Sequence, residues 1–433
     1  MWDFSTDPEF QQKLDWMKTF VREEVEPLDL LFPAGGDPYD TSNEAALAIL
    51  RPLQQQVREE GLWACHLGPE LGGQGYGQLK LGLMNEIIGR SYWAPTVFGT
   101  AAPDTGNAEI LAMFGTDEQK KRYLQPLLDG EIVSTFSMTE PQAGADPKEF
   151  VCRAWREGDE WVIEGEKWFS SNARYAAFLI VMAVTDPDAK PHERMSMFVV
   201  PAETPGIEIK RNVSTMAERD ELDEGIHGYL SYHRVRVPLD AMLGNPGEGF
   251  KVAQARLGGG RVHHAMRTVG KCERALEMML ERAVSRRTQG ERLADKQAVQ
   301  AMIADSHIEL HQYRLLVLNT AWVIDNQPHG AARTQIAMCK VAMAKVYHDI
   351  VQRAVQMHGS LGTTHETPLA DMWMGVPSLA LADGPTEVHK VTVARQLLKS
   401  AEPAPGLFPT EHLPTKREAA RRRYADLLKN YDL

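Results

Sequence analysis

The hydrophobic period of this chain changes twice, and few folds accommodate that order. Up to about residue 130 apolar side chains recur at three- and four-residue steps, as in Phe10, Leu14, Met17, Phe20 and Val21, then Ile87, Ile110, Leu111 and Phe114. From Glu131 to about Gly244 short alternating or apolar runs take over: Ile132–Met138, Glu160–Phe169, Phe178–Val184 and Met197–Val200. The stretch Ala154–Val162 reads as a hairpin turning at Gly158. Past Gly244 helical spacing returns in three stripes: Val262, Met266, Val269, Leu276, Leu280 and Ala283; Val299, Ile303, Leu310, Val317, Ala321 and Ile324; Ile336, Cys339, Met343, Val346 and Ile350. A fourth helix is expected after Pro385, which completes an antiparallel bundle. The expected fold class is α+β: a helical domain over 1–130, a middle antiparallel β domain over 131–245 and a C-terminal four-helix bundle over 246–400. Residues 401–433 form a tail with a basic helix from Lys416 to Lys429, whose charges read as a solvated face.

Charge and cysteine usage narrow the function. With 47 Lys and Arg against 59 Asp and Glu the 433-residue chain carries −12, so its surface repels phosphate backbones and nucleic acid is not an expected partner. Cys65, Cys152, Cys272 and Cys339 form no CxxC pair, which argues against a disulfide framework and a zinc knuckle and suits a reducing cytoplasm. The longest apolar run, Ala176–Val184, is less than half a membrane span, and no signal peptide or membrane insertion is expected.

Several motifs fail on context. Gly72-Gly73-Gln74-Gly75-Tyr76-Gly77 has glycines at the wrong steps for a dinucleotide fingerprint and no preceding strand, so it reads as a tight loop. His263-His264 and His365-Glu366 do not extend to a zinc-protease motif, and no metal site is expected. Gly359-Ser360-Leu361-Gly362 reads as a helix C-cap and turn rather than a nucleophile elbow.

Four stretches, taken together and in this order, resemble the acyl-CoA dehydrogenase family. Phe136-Ser137-Met138-Thr139-Glu140-Pro141-Gln142-Ala143-Gly144-Ala145-Asp146 is similar to the family's aromatic-x-x-Thr-Glu-Pro-x-Ala-Gly-Ser-Asp. The resemblance implies that Phe136, Met138 and Thr139 meet the polar edge of FAD, since a planar ring is well served by in-plane backbone groups. Gly165-Glu166-Lys167-Trp168-Phe169-Ser170-Ser171-Asn172 resembles Gly-x-Lys-x-Trp-Ile-Thr-Asn, which implies Trp168 over one face of the flavin, with Phe169 beside it and Ser170 in place of the bonding threonine. Ser285–Gly290 with Gln297 resembles Arg-x-x-Phe-Gly with its glutamine; Arg286, Thr288 and Gln297 would then reach the pyrophosphate side of a neighbouring subunit's FAD. Gln356-Met357-His358-Gly359-Ser360 resembles Gln-x-x-Gly-Gly, which brings Gln356, Gly359 and Ser360 to the same cofactor. A site assembled across subunits implies a homodimer or homotetramer.

The fourth stretch, Ala382-Asp383-Gly384-Pro385-Thr386-Glu387-Val388, stands where the family has Tyr-Glu-Gly-Thr-x-Glu/Gln-Ile. Asp383 therefore takes the place of the catalytic glutamate, Pro385 and Glu387 lie with the cofactor, and Gly384 with the substrate. The aspartate is like that of the subgroup fused, in animals, to kinase-like domains. An alternative base position used by some members falls in Leu257-Gly258-Gly259-Gly260-Arg261, where no carboxylate is present. Leu257, Arg261 and Ala145 are the remaining expected substrate contacts, and Leu83, Phe98 and Leu381 are candidates for the acyl-chain wall.

The implied chemistry is α,β-dehydrogenation: Asp383 removes the α-proton of an acyl-CoA while the β-carbon delivers hydride to the flavin, and the electrons pass to an electron-transferring flavoprotein. Aspartate gives up roughly 1.5 Å of reach against glutamate, so either the backbone moves inward or the substrate is not a plain fatty acyl thioester. Two alternatives are kept. One is an oxidase or eliminating enzyme on the same fold, akin to nitroalkane oxidase or acting on a hydroxyacyl-CoA derivative. The other is a flavin-free helical interaction protein.

Overall fold

The computed structural model describes residues 4–32, 38–69, 73–218, 225–328, 330–429 and 431, so Gly72 of the glycine-rich loop lies outside the described residues. They fall into two compact units, Met1–Lys390 and Val391–Leu433.

The first unit opens with α1 (Pro8–Phe20), which starts where its chemistry says it should. Asp7 accepts the Phe10 N–H at 2.9 Å, Pro8 takes the first turn and Glu9 faces the positive end of the dipole. Phe10, Leu14, Met17 and Phe20 form its buried stripe, as their spacing requires. Next come α2 (Glu44–Glu59), capped by Asn43, then α3 (Gly77–Ile88) and α4 (Asp104–Phe114). Of α3, every residue from Leu81 to Ile88 is buried.

The middle segment contributes β1 (Ser134–Ser137), β2 (Arg153–Glu157), β3 (Glu160–Ser171), β4 (Phe178–Val184), β5 (Met195–Pro201), β6 (Ile207–Val213), β7 (His227–Pro238) and β8 (Met242–Leu243). Among the described residues the order is β6-β7-β3-β2-β4-β5-β8, with β1 on β4. The hairpin at Gly158 forms with Glu157 opposite Glu160. The sheet departs from the wholly antiparallel arrangement expected from the sequence: β1 runs parallel to β4, and β2 meets β4 in parallel at Arg153 and Val184. Long connections allow these parallel pairings. The unbroken apolar run of β4 follows from burial on both faces. Phe178, Ile180 and Met182 enter a core with α4, whereas Leu179, Val181 and Ala183 face Leu230, Tyr232 and Phe198.

Three long helices follow: α5 (Gly249–Ser285), α6 (Gln297–Asn326) and α7 (Arg333–His358). They pack on one another, and α3 packs against α5 and α6. The fourth helix of the bundle is thus α3, whereas α8 (Thr386–Lys399), expected in that role, straddles the boundary between the two units. One apolar cluster joins Met17, Leu81 and Met84 to Met266, Val269, Leu318 and Met343, so the helices before and after the sheet share a core. Leu280, assigned to a buried stripe by its spacing, is exposed. In the second unit the basic helix α9 spans Leu413–Arg423 and yields at Tyr424 to a single turn, Ala425–Leu428.

Candidate active site

Asp383 lies between the short helix Val376–Leu381 and α8. Its φ of 56° is left-handed, a conformation that costs a non-glycine residue about 1–3 kcal/mol and persists where surroundings over-determine it. Here the determinants are explicit. Its carbonyl accepts Arg261 Nε at 2.9 Å and the ring Nε2 of buried His389 at 3.3 Å. Pro385 stands just ahead of α8 and its carbonyl accepts the N–H groups of Val388 and His389.

The carboxylate turns toward α5. Arg256, Gly259, Gly260 and His264 share one face of that helix, by their three- and four-residue spacing. A Cβ on Gly260 would lie 3.0 Å from Asp383 Oδ2, and one on Gly259 would lie 2.9 Å from Glu109 Oε2. The glycines, which cost the helix up to about 1 kcal/mol each relative to alanine, therefore clear space for two carboxylates. His264 Nε2 is 3.7 Å from Asp383 Oδ2. Burial pushes His264 down to about 4, with Asp383 opposing, and pushes Lys340 down to about 8, again with Asp383 opposing. Burial also lowers Arg256 and Arg261, and in both the Asp383 charge opposes it. Asp383 thus sits among basic groups, with its side chain 17% exposed.

Arg256 is held by a polar relay. Its Nε donates to Asn107 Oδ1 at 2.8 Å, Asn107 donates to Ser134 Oγ at 2.8 Å, and Asp104 accepts both the hydroxyl and the N–H of Ser134. The guanidinium lies 4.0 Å from the centre of the Phe136 ring, which connects this relay to β1. Burial pushes both Asp104 and Glu109 up to about 7, with Arg256 pulling the other way. Nothing in the sequence motifs singled out Glu109; a lone carboxylate beside the apolar run Ile110–Phe114 was the available signal.

These values carry a prediction. Between the ordinary carboxylate range and about pH 7 the folded chain holds protons on Asp104 and Glu109 that the unfolded chain releases. Their contribution to stability is present below that window and is lost as pH rises through about 7. Buried His66 and His264, pushed down to about 3 and 4, contribute the opposite slope. The difference in urea midpoint between Glu109→Gln and the parent should therefore grow in favour of the variant from pH 5 to pH 8.

The strand residues are distributed differently from the sequence expectation. Lys167 Nζ donates to Met138 O at 2.8 Å and Trp168 N–H to Thr139 O at 2.8 Å, so the chain itself uses both carbonyls. A register shift in β3 between Lys167 and Ser170, with Phe169 at φ 56°, then re-aims the side chains. Ser170 is sealed inside, 2.9 Å from Ser137 Oγ, and cannot present its hydroxyl to a ligand. Phe169 is exposed and stacks on His227, and Ser171 bonds His227 Nδ1 at 2.8 Å. Trp168 is half-buried, edge-on to Tyr229. Counted from Gly165, Phe169 and Ser171 hold the places of the tryptophan and threonine in Gly-x-Lys-x-Trp-Ile-Thr-Asn, and that count was the signal in the sequence.

Arg286, Thr288, Gln297, Gln356, Gly359 and Ser360 are exposed, at the C-terminal ends of α5 and α7 and the N-terminal end of α6. Arg286 lies 25 residues beyond Arg261 on or capping one helix, roughly 37 Å at the usual rise. One chain does not bring Arg286 to Asp383. Ala145 and Glu387 are exposed, Leu257 and Gly384 half-buried. Among the acyl-wall candidates Leu83 is buried, Leu381 is exposed, and Phe98 lies in the apolar core edge-on to Phe20.

A flavin fits what this region offers. The side-chain amide of Asn172 is buried with neither atom bonded among the described residues, and Phe169 beside it is exposed. Among the described residues no cluster of three or more His, Cys, Asp or Glu could hold a metal, and no helix is long and apolar enough to cross a membrane.

Family models match most of the chain: the acyl-CoA dehydrogenase N-terminal domain over residues 7–131, the middle domain over 135–226 and the C-terminal domain over 247–398. A probable acyl-CoA dehydrogenase of Mycobacterium tuberculosis, FadE2, is 41% identical over 360 residues, 82% of this chain and 86% of that protein. Acyl-CoA dehydrogenase family member 11 of Rattus norvegicus is 39% identical over 355 residues, 81% of this chain but only 45% of that protein. The structure of a putative acyl-CoA dehydrogenase from Mycobacterium abscessus superposes with a TM-score of 0.83 at 38% identity, over 92% of this chain and 100% of the other.

Proposed function

The chain belongs to the acyl-CoA dehydrogenase family, and from that premise we propose that it is an FAD-dependent dehydrogenase that forms a 2-enoyl-CoA from an acyl-CoA, with Asp383 taking the α-proton. The observation that carries this reading is the Asp383 carboxylate, fixed by its own clamped backbone, facing the glycine-cleared side of α5 among Arg256, Arg261, His264 and Lys340.

The close approach of α5 also supports the shorter side chain. With no side chain at Gly260 the helix backbone draws near the 383 segment, so a residue one methylene shorter than glutamate can serve. Bound FAD would supply the acceptor for the β-hydride. Thr139, Phe169, Ser171 and Asn172 would hold its ring, and Arg261 would hold the carbonyl of the base residue rather than the carboxylate. Arg286, Thr288, Gln297, Gln356, Gly359 and Ser360 would serve a second chain's cofactor. The distance of Arg286 from Asp383 supports a homodimer or homotetramer, which sedimentation of the purified protein would test. An electron-transferring flavoprotein is the expected acceptor, and four free, buried cysteines suit a reducing, cytoplasmic setting.

The test is anaerobic titration of the flavin-loaded protein with acyl-CoA thioesters of graded length. Bleaching with formation of the 2-enoyl product is expected, and no bleaching by any of them would reject the assignment. One observation favours a second reading, a hydroxyacyl-CoA derivative as substrate: Glu109 and Arg256 place a polar wall beside the base. Preferential bleaching by hydroxylated over plain acyl-CoA would select it, and rapid reoxidation by oxygen would point to an oxidase.

Gly260→Ala is expected to separate rate from stability. The added Cβ gains helix propensity, about 0.5–1 kcal/mol, yet presses on Asp383 Oδ2. Flavin reduction should slow about tenfold, and further in Gly260→Val, since misplacement by about 1 Å costs around 100-fold. Stopped-flow absorbance and a urea titration on the same sample measure both effects.

A further inference from the structure

The last carbonyls of a helix have no partner within it, so those of Val376–Leu381 must find others. Ser378 O accepts the Ala382 N–H at 2.9 Å, and Ala380 O the Thr386 hydroxyl at 3.4 Å. Leu379 O accepts the Nζ of Lys340, 2.6 Å away on α7, whose side chain is fully buried. Four residues on, the Asp383 carbonyl is held by Arg261 and His389. Basic groups from α5, α7 and α8 thus tie the 379–383 backbone at two points, and the residue at its end is the one in left-handed geometry. A positive charge at a helix C-terminus is favourable, but an ammonium withdrawn wholly from water is costly unless it serves something else.

We propose that Lys340 is a positioning residue for Asp383: by drawing in the Leu379 carbonyl it sets where the carboxylate reaches. This rests on the reading of Asp383 as the base. The groups that face Lys340 are Asp383, which favours its ammonium form, and Arg261, which opposes it; His264 and His389 also feel its charge. Burial lowers Lys340 to about 8, so it is charged at neutral pH, and its replacement by methionine removes a positive charge near Asp383.

The experiment measures flavin reduction by a bleaching acyl-CoA from pH 5 to 9 in the flavin-loaded parent, Lys340→Met, Lys340→Arg and Asp383→Asn. In Lys340→Met the plateau rate should fall about tenfold and the acid limb move up by about one pH unit. Lys340→Arg, which keeps charge and donor, should return the limb toward the parent position. A role confined to packing would lower stability and leave the limb in place. Crystals of Lys340→Met should show the Asp383 carboxylate displaced from Gly260. Should that variant not fold, Lys340→Gln, which keeps a donor without charge, takes its place with the same expected movement of the limb. An unmoved limb in a folded Met or Gln variant, with Asp383→Asn inactive, overturns the Lys340 proposal alone. Full activity in Asp383→Asn overturns the base assignment instead.

Discussion

Asp383→Asn is expected to reduce the rate of flavin reduction by an acyl-CoA about 100- to 10,000-fold, the span that a positioned general base supplies. The substitution is clean because the clamp on residue 383 does not use its side chain. Arg261 and His389 bond the backbone carbonyl, so the φ of 56° and the approach of α5 should survive. What disappears is basicity and one charge opposite His264. FAD content should stay near the parent value, which separates loss of the base from loss of the cofactor, while the urea midpoint should fall because Arg256, Arg261 and Lys340 lose an opposing charge. Asp383→Glu restores a carboxylate but extends it by roughly 1.5 Å in a site matched to the shorter side chain. It should recover only part of the rate. Stopped-flow bleaching under anaerobic conditions measures all three proteins, and a rate in Asp383→Asn within about twofold of the parent would remove this residue from the mechanism.

The largest stability effect is expected at Lys167→Met. Lys167 and Glu140 are buried together at 2.9 Å, and the ammonium also donates to Met138 O while lying 4.7 Å from the Phe150 ring centre. Glu140 accepts the N–H groups of Val151 and Cys152 at 2.7 and 3.0 Å and the Gln142 amide at 2.7 Å. Removing the cation leaves a carboxylate in the interior with hydrogen bonds but no counter-charge, which costs about 3–5 kcal/mol. The pair anchors Met138–Glu140, the segment proposed to edge the flavin, so FAD affinity should weaken with the urea midpoint. In Glu140→Gln/Lys167→Met no charge is stranded, and stability should return in part. A double variant no more stable than Lys167→Met would mean that the loss is one of packing.

The family resemblance of residues 136–146 and 382–388 was legible because those segments carry their chemistry in short, ordered strings. The strand positions next to them were less legible. A count that starts at Gly165 gives the aromatic and hydroxyl places to Phe169 and Ser171, whereas matching the tryptophan by residue type gives Trp168 and, two residues on, Ser170. Only the shift in β3 shows which pair faces outward. Lys340 had no signature and Glu109 only its place beside an apolar run: each is remote in sequence from Asp383 and gains its role from helices that meet in the core.

From its sequence alone this chain's order of helices, strands and helices, its buried stripes and the identity of its candidate base could be read, because period, caps and local motifs are properties of neighbouring residues. Only the tertiary structure decided that α3 completes the bundle, that Ser170 turns inward, and that Gly260 and Lys340 converge on Asp383. Those outcomes depend on how close separate elements come, a distance set by the packing of whole helix faces.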